Sequence, residues 1–279
     1  MKDPVVSVLM TTYNREKLVG EAIESVLAST FQDFELIVCD DNSSDGTVNA
    51  VKELALRDSR VKLFLHDANI GDYPNRNRAA GYAKGKYLKY VDADDYIYPW
   101  GLEILVKNME AFPEAQWGLC SLLQCRDRPF PFVLSPQAAY EYHYFGPGLF
   151  HKAPLSSIVK KDAFFEVGGF KPLRMVGDAD LWHVLAARFP VLLMVDGVVW
   201  YREHGDQEVT HAWKYRLQYE ELVKRAFGDA ACPLSESQKR IVFSRKRSAA
   251  IRQMAKAMLT LHWKDVGIYY KIARLYNEL

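Results

Sequence analysis

The chain has 279 residues, 49% of them hydrophobic, with a formal net charge of +1 and 25% charged side chains. That content supports a sizeable core and excludes a disordered chain, and the balanced charge gives no overall basic field to capture nucleic acid. Cys39, Cys120, Cys125 and Cys232 show no paired metal spacing, no signal-peptide core follows Met1-Lys2-Asp3-Pro4, and no apolar run approaches a membrane span, so the expected location is cytoplasmic, extending to the inner face of the membrane.

Short β-branched runs alternate with amphipathic patterns over the first hundred residues, which is the mark of βαβ units and a mainly parallel sheet. Strands are expected at Val5 to Met10, Glu35 to Cys39, Val61 to Leu65 and Tyr87 to Val91. Between them, Asn14 is placed to cap a helix with apolar positions Leu18, Ala22 and Val26, Val48 to Ala55 forms a second helix, and Asn75 to Ala83 a third, stopped by Gly85. A helix over Gly101 to Ala111 ends before Pro113, and Trp117 to Leu123 reads as a strand. From Gln124 to Lys152 periodicity dissolves into a segment rich in proline and aromatic residues, expected to be a long loop. Order returns with strands at Ser156 to Val159, Val191 to Val195 and Val198 to Tyr201, and a helix from about Asp178 to Phe189. The remainder, from about Gln207, is helical with a break near Gly228 to Pro233, and it is rich in basic residues.

In an open parallel sheet, ligands bind outside the carboxyl ends of the strands. The polar residues collect there: Thr11-Thr12-Tyr13-Asn14 after the first strand, Asp40-Asp41-Asn42-Ser43 after the second, Asp92-Ala93-Asp94-Asp95 after the fourth. Crowded carboxylates repel unless a cation sits between them, and a divalent metal carrying a diphosphate suits the cluster. An aromatic ring, an acidic acceptor and metal-binding carboxylates together suit a nucleotide.

Those motifs, with Arg76-Asn77 and Ala83-Lys84-Gly85-Lys86-Tyr87 between them, resemble in order the motifs of the family 2 inverting glycosyltransferases over about the first 205 residues. The resemblance implies the GT-A fold: an α/β architecture with a mainly parallel central sheet, flanking helices and a Rossmann-like nucleotide-binding half, followed here by a helical C-terminal region. The implied catalytic domain is 1–205, divided into a nucleotide-sugar half (1–111) and an acceptor half (112–205), with 206–279 helical. By position, Tyr13 would stack on the nucleobase beside Thr11 and Asn14, and Asp41 would accept from the base, which favours UDP. Arg76 falls on the family's conserved arginine, although Asn75 replaces the usual alanine before it. Asp92, Ala93 and Asp94 would form the Asp-x-Asp element on the donor, with Asp94 ligating Mn²⁺ or Mg²⁺, while Asp95 is placed to cap the next helix. Met175 to Trp182 resembles the element that carries the catalytic base, with Asp178 in that role, Asp180 as runner-up, and Gly177 where the family commonly has an acid. Tyr201-Arg202-Glu203-His204 resembles the Arg-x-His element, with Arg202 on the diphosphate and His204 on the metal.

The implied partners are a nucleoside-diphosphate sugar and a glycan or lipid-linked acceptor, the latter reached through Tyr140, Tyr142, Tyr144 and Phe145. The basic C-terminal helices suit packing on the catalytic domain, a twin subunit, or an anionic membrane. Asp-x-Asp after a strand also occurs in haloacid-dehalogenase-type phosphatases, which set Thr or Val next and near the chain start; here Asp95-Tyr96 follow, after four elements. A non-enzymatic receiver-like domain would need a lysine after a late strand, and a nucleotidylyltransferase a glycine-rich opening loop.

Overall fold

The computed structural model describes residues 2–203 and 214–277. Strand β1 (Val6–Thr12) leads through α1 (Val19–Leu27) to β2 (Phe34–Asp40), then α2 (Thr47–Arg57), β3 (Val61–Leu65), α3 (Asp72–Tyr82) and β4 (Tyr87–Tyr90). A short β5 (Tyr96–Ile97) precedes α4 (Gly101–Ala111), β6 (Trp117–Leu119), β7 (Phe132–Leu134) and α5 (Pro136–Phe145). Next come β8 (Ser157–Lys160), α6 (Lys161–Glu166), α7 (Gly177–Arg188), β9 (Val191–Leu193) and β10 (Val199–Trp200). Helices α8 (Arg216–Gly228), α9 (Glu236–Leu259) and α10 (Trp263–Leu275) close the chain.

Eight strands form one sheet in the order β3-β2-β1-β4-β8-β6-β9-β7, and β5 pairs antiparallel with β10 as a separate ribbon. Neighbours β3, β2, β1 and β4 are parallel, while β8 runs antiparallel to both β4 and β6. The strands are apolar on both faces, as covered parallel strands must be. Val6, Val8 and Met10 of β1 pack with α1, α2 and α4 on one side, and Leu9 packs on the other with α3, α6 and α7.

Three expectations fail. Asn14 does not cap α1: the helix starts at Val19 after Leu18, and Asn14 sits in the left-handed region at φ 52°, a conformation asparagine tolerates by bonding locally. The segment 124–152 is not one loop, because it holds β7 and α5. Ser135 caps α5 by accepting from the Ala138 amide, and Pro136 opens it, a start signal masked by the aromatic composition. Helix α5 turns Tyr140 and Tyr144 inward rather than toward an acceptor: the Tyr140 hydroxyl donates to the His183 carbonyl at 3.0 Å, and the Tyr144 hydroxyl lies 2.6 Å from His183 Nε2. The break expected near residues 228–233 is present, with α8 ending at Gly228 and α9 starting at Glu236.

Candidate active site

Because β1, β2 and β4 are parallel neighbours, the segments that follow them emerge at one edge of the sheet. Hydrogen bonds stitch the first two together. The Asn14 amide donates to Ser43 Oγ at 2.8 Å, the Asn14 side-chain oxygen accepts from the Ser44 amide at 2.9 Å, and the Asp41 amide donates to the Thr12 carbonyl at 2.9 Å. Asp40 accepts from the amide and hydroxyl of Ser43, so it is the carboxylate of a capped turn. Asp41 is buried, and its two oxygens accept the Ile70 and Gly71 amides at 2.8 Å each, which joins a third segment to the same edge. Each of those oxygens has a second lone pair. Thr11 is half-buried at the end of β1, while the Tyr13 ring is 48% exposed, presenting a face to solvent beside these loops.

The acidic segment after β4 is held by three arginines. Asp94 Oδ2 accepts from Arg15 Nε at 3.1 Å. Asp92 Oδ1 lies 2.6 Å from Nη1 of Arg76, whose Nε donates to Asp72 at 2.8 Å. Arg76 is buried, and the flanking carboxylates hold it protonated despite that burial. The Arg202 amide donates to Asp95 Oδ1 at 3.0 Å, its Nε to the Asp94 carbonyl at 2.9 Å, and its Nη2 to Glu21 at 2.6 Å. Ala93 is buried between its neighbours. Asp95 is no helix cap: it is buried and leads directly into β5, and burial together with the charges of Asp92 and Asp94 pushes its carboxyl up to about 8. Beneath the cluster Lys89 is fully buried, its ammonium on the Leu155 carbonyl, and burial draws it down to about 8.

Asp92 and Asp94 are hard oxygen donors of the type that Mn²⁺ and Mg²⁺ take. Asp92 Oδ1 is buried against Arg76 Nη1, 2.6 Å away, and a carboxylate offers further lone pairs beyond that contact. Among the described residues no group of three or more His, Cys, Asp or Glu side chains is arranged around an ion, and His204 lies outside the described residues. The donor set therefore suits an ion completed by phosphate oxygens and water, the usual way Mg²⁺ is held on a nucleotide.

Asp178 lies in the first turn of α7, where the helix dipole favours a carboxylate. Its Oδ1 accepts from the Ala179 amide at 2.7 Å and from the Tyr73 hydroxyl at 3.4 Å. Burial nevertheless dominates and pushes the carboxyl up to about 6, against the opposing influence of the amide and of Arg76. Gly177 is explained by the same neighbour. A Cβ there would stand 2.8 Å from Tyr73 Cε2 and 2.8 Å from the Lys171 carbonyl, so the acid common in the family does not fit in this chain. The turn leading to α7 is fixed by Asn77, which donates to the Phe170 carbonyl at 2.7 Å and accepts the Phe170 amide at 2.9 Å. Asp180 points elsewhere: it is buried and pairs with Arg225 of α8 and, at 3.2 Å, with Lys171.

Residue-type reasoning overlooked Arg15 and Tyr73 as parts of this site, and gave Asn77 no role of its own within the Arg76-Asn77 motif. Arg15 directly follows Tyr13-Asn14 in sequence, and Tyr73 lies three residues before Arg76 on one helix, sharing a face with it. That adjacency is the signal that was available.

The family model described as glycosyl transferase family 2 matches residues 7–164. The UDP-Glc:alpha-D-GlcNAc-diphosphoundecaprenol beta-1,3-glucosyltransferase WfgD of Escherichia coli is 39% identical over 109 residues, which span 39% of this chain and 42% of that protein. Among solved structures, Staphylococcus aureus TarS 1–349 in complex with UDP-GlcNAc is similar at a TM-score of 0.60, with 18% identity over 98% of this chain and 91% of that one. A mannosyltransferase of Pyrobaculum calidifontis in complex with GDP-Man and Mn²⁺ gives a TM-score of 0.61, with 19% identity over 99% and 86% of the two chains. Both likenesses concern the fold. With the family model covering more than half of its length and the GT-A architecture in place, this chain belongs to glycosyl transferase family 2.

Proposed function

We propose that this chain transfers a sugar, with inversion, from a UDP-sugar to a hydroxyl of a glycan on a lipid carrier, as a step of cell-surface polysaccharide synthesis. One observation carries the reading: a single arginine connects the two halves of the chemistry. Arg76 touches Asp92 of the acidic segment at 2.6 Å, and its charge acts on Asp178, the half-buried carboxylate at the start of α7. The E. coli relative named above acts on a diphosphoundecaprenol-linked acceptor, and TarS was solved with UDP-GlcNAc.

In this reading Tyr13 stacks on the uracil, Asp41 accepts its imide proton with a free lone pair, and Thr11 and Asn14 shape the loop around it. Asp92 and Asp94 would hold the divalent ion, with His204 as a further ligand. When bound, the ion would supply charge neutralisation on the departing diphosphate. Arg76 and Arg202 orient the donor's charged portion through the acidic segment. Asp178 takes the proton from the acceptor hydroxyl as that oxygen attacks the anomeric carbon from the face opposite the leaving group, so one carboxylate suffices. Its upward shift toward 6 makes it a better base than an ordinary carboxylate while leaving it ionised at neutral pH.

The test is thermal stability with UDP, GDP and dTDP, each with and without Mn²⁺, followed by transfer assays. A metal-dependent rise with UDP supports the donor class, and a response to inorganic phosphate alone refutes it. Asp178→Asn is expected to abolish transfer with UDP binding retained, and Asp94→Ala to remove the metal-dependent part of binding. Ordinary turnover by Asp178→Asn would refute the base assignment.

A further inference from the structure

Positive charge is concentrated in the last helices, and three of the five most exposed large apolar side chains among the described residues lie at the turn between them. Between residues 236 and 277 stand ten Lys or Arg against two Asp or Glu, in a chain whose total is +1, so the rest of the molecule is net negative. Helices α9 and α10 form a hairpin whose base is fixed to α8. Phe243 packs on Phe227 and Tyr276, Lys246 pairs with Glu220 at 2.7 Å, and the Tyr276 hydroxyl donates to Glu220 at 2.6 Å. The far end is different. From 251 to 264 only Ala257 is buried and Met254 half-buried, although α9, at 24 residues, runs about 36 Å.

At that end Leu259, Leu261 and Trp263 are 86%, 71% and 65% exposed, with Met258 beside them. They sit on a closed turn rather than on a loose end: the His262 amide donates to the Ala257 carbonyl at 2.9 Å, and the Thr260 hydroxyl donates to the Lys256 carbonyl at 3.0 Å. Exposed Arg252, Lys256 and Lys264 flank the apolar tip.

We infer that the α9–α10 turn seats the protein on an anionic bilayer, with Leu259, Leu261 and Trp263 entering the interfacial layer and Arg252, Lys256 and Lys264 at the lipid phosphates. No described helix is long and apolar enough to cross a membrane, so the contact is interfacial. A tryptophan among leucines with a basic collar is the composition that partitions there. A second copy of the chain suits the tip poorly. Four side chains at a turn fall far short of the roughly 800 Å² per partner of a stable protein interface, and two such tips would bring like charges together. An anionic surface complements the collar instead. The purpose of the contact, access to a lipid-linked acceptor, rests on the function proposed above, whereas the contact itself does not.

The test is co-sedimentation of the full chain with vesicles of phosphatidylcholine alone and of phosphatidylcholine with phosphatidylglycerol, at low and high salt. Binding to the anionic vesicles that weakens with salt is expected, and Leu259→Ser/Leu261→Ser/Trp263→Ser should reduce it roughly tenfold or more. The Arg252→Gln/Lys256→Gln/Lys264→Gln variant should lose most of the salt dependence. Fluorescence quenching by brominated lipid should fall in Trp263→Phe by the share of that ring. Wild-type protein that stays in the supernatant with anionic vesicles, or a triple serine variant that binds like wild type, overturns the proposal. So does a wild-type dimer in analytical ultracentrifugation that the serine variant converts to monomer. UDP binding measured in parallel separates the two readings: its loss with vesicle binding intact fails the donor assignment alone, and the converse fails the membrane assignment alone.

Discussion

Tyr73 and Gly177 share one space: the ring of Tyr73 lies where a side chain at Gly177 would begin, with 2.8 Å between Cε2 and the position of a Cβ. The pair fixes the first turn of α7 against α3, and with it the position of Asp178. Gly177→Ala must displace either the buried ring or the start of the helix, and overpacking of this kind costs roughly 1–3 kcal/mol. The expected outcome is a lower melting temperature together with reduced turnover. Tyr73→Ala is costly by itself through the cavity it opens, so the double variant should lose less than the sum of the two single losses, and a double-mutant cycle measures the coupling.

Asp178 makes a prediction about pH. Its carboxyl is pushed up to about 6 by burial, so it is protonated in acid and, with Asp178 as the proposed base, transfer should rise through about pH 6 to a plateau. The Tyr73 hydroxyl steadies the ionised form, and Tyr73→Phe should move this limb to higher pH. Stability should carry the opposite signature. A carboxyl whose folded value lies above its ordinary 3.8 resists ionisation in the fold, so the penalty is absent below about pH 4 and complete above about 6. Asp178→Asn should therefore melt higher than wild type at pH 8, by an amount bounded at roughly 3 kcal/mol, and equal it near pH 4. Melting curves across pH check this independently of activity.

The first 111 residues were legible in the order of their elements, and the reason is local. Strands such as β2, buried along its whole length, read as apolar runs, and each ends abruptly in polar residues at one edge of the sheet. Gly101 to Ala111 is a helix with the bounds its periodicity indicates. The region around α5 was hidden because Tyr140 and Tyr144 are core residues facing α7 and α8, and an aromatic ring gives the same one-letter signal in a core as in a sugar-binding loop. The site was legible as a set of residue types and not as contacts. Nothing local to Arg15 shows that it will meet Asp94, 79 residues away, because that contact depends on β1 and β4 being neighbours.

The Arg15–Asp94 pair predicts an effect on metal binding. A guanidinium 3.1 Å from Asp94 Oδ2 occupies a lone pair that a divalent ion would use, and its charge repels the ion. Arg15→Gln is expected to bind Mn²⁺ several-fold more tightly than wild type in the absence of nucleotide, as read by titration calorimetry. Unchanged affinity would mean that the ion does not contact Asp94.

Asp180 predicts how firmly α8 is held to α7. Its buried carboxylate has Arg225 on one oxygen and Lys171 on the other, and both cations are half exposed. Arg225→Ala leaves a buried oxygen without its charged partner, a loss of roughly 1–3 kcal/mol, and it should lower the urea midpoint accordingly. Asp180→Asn should cost less, because Arg225 and Lys171 can turn to water while the amide oxygen still accepts one of them. Asp180 as the base would instead make Asp180→Asn inactive with near-normal stability. The expected result is reduced stability with measurable transfer, and the urea midpoint and the rate, taken on the same variant, separate the two roles.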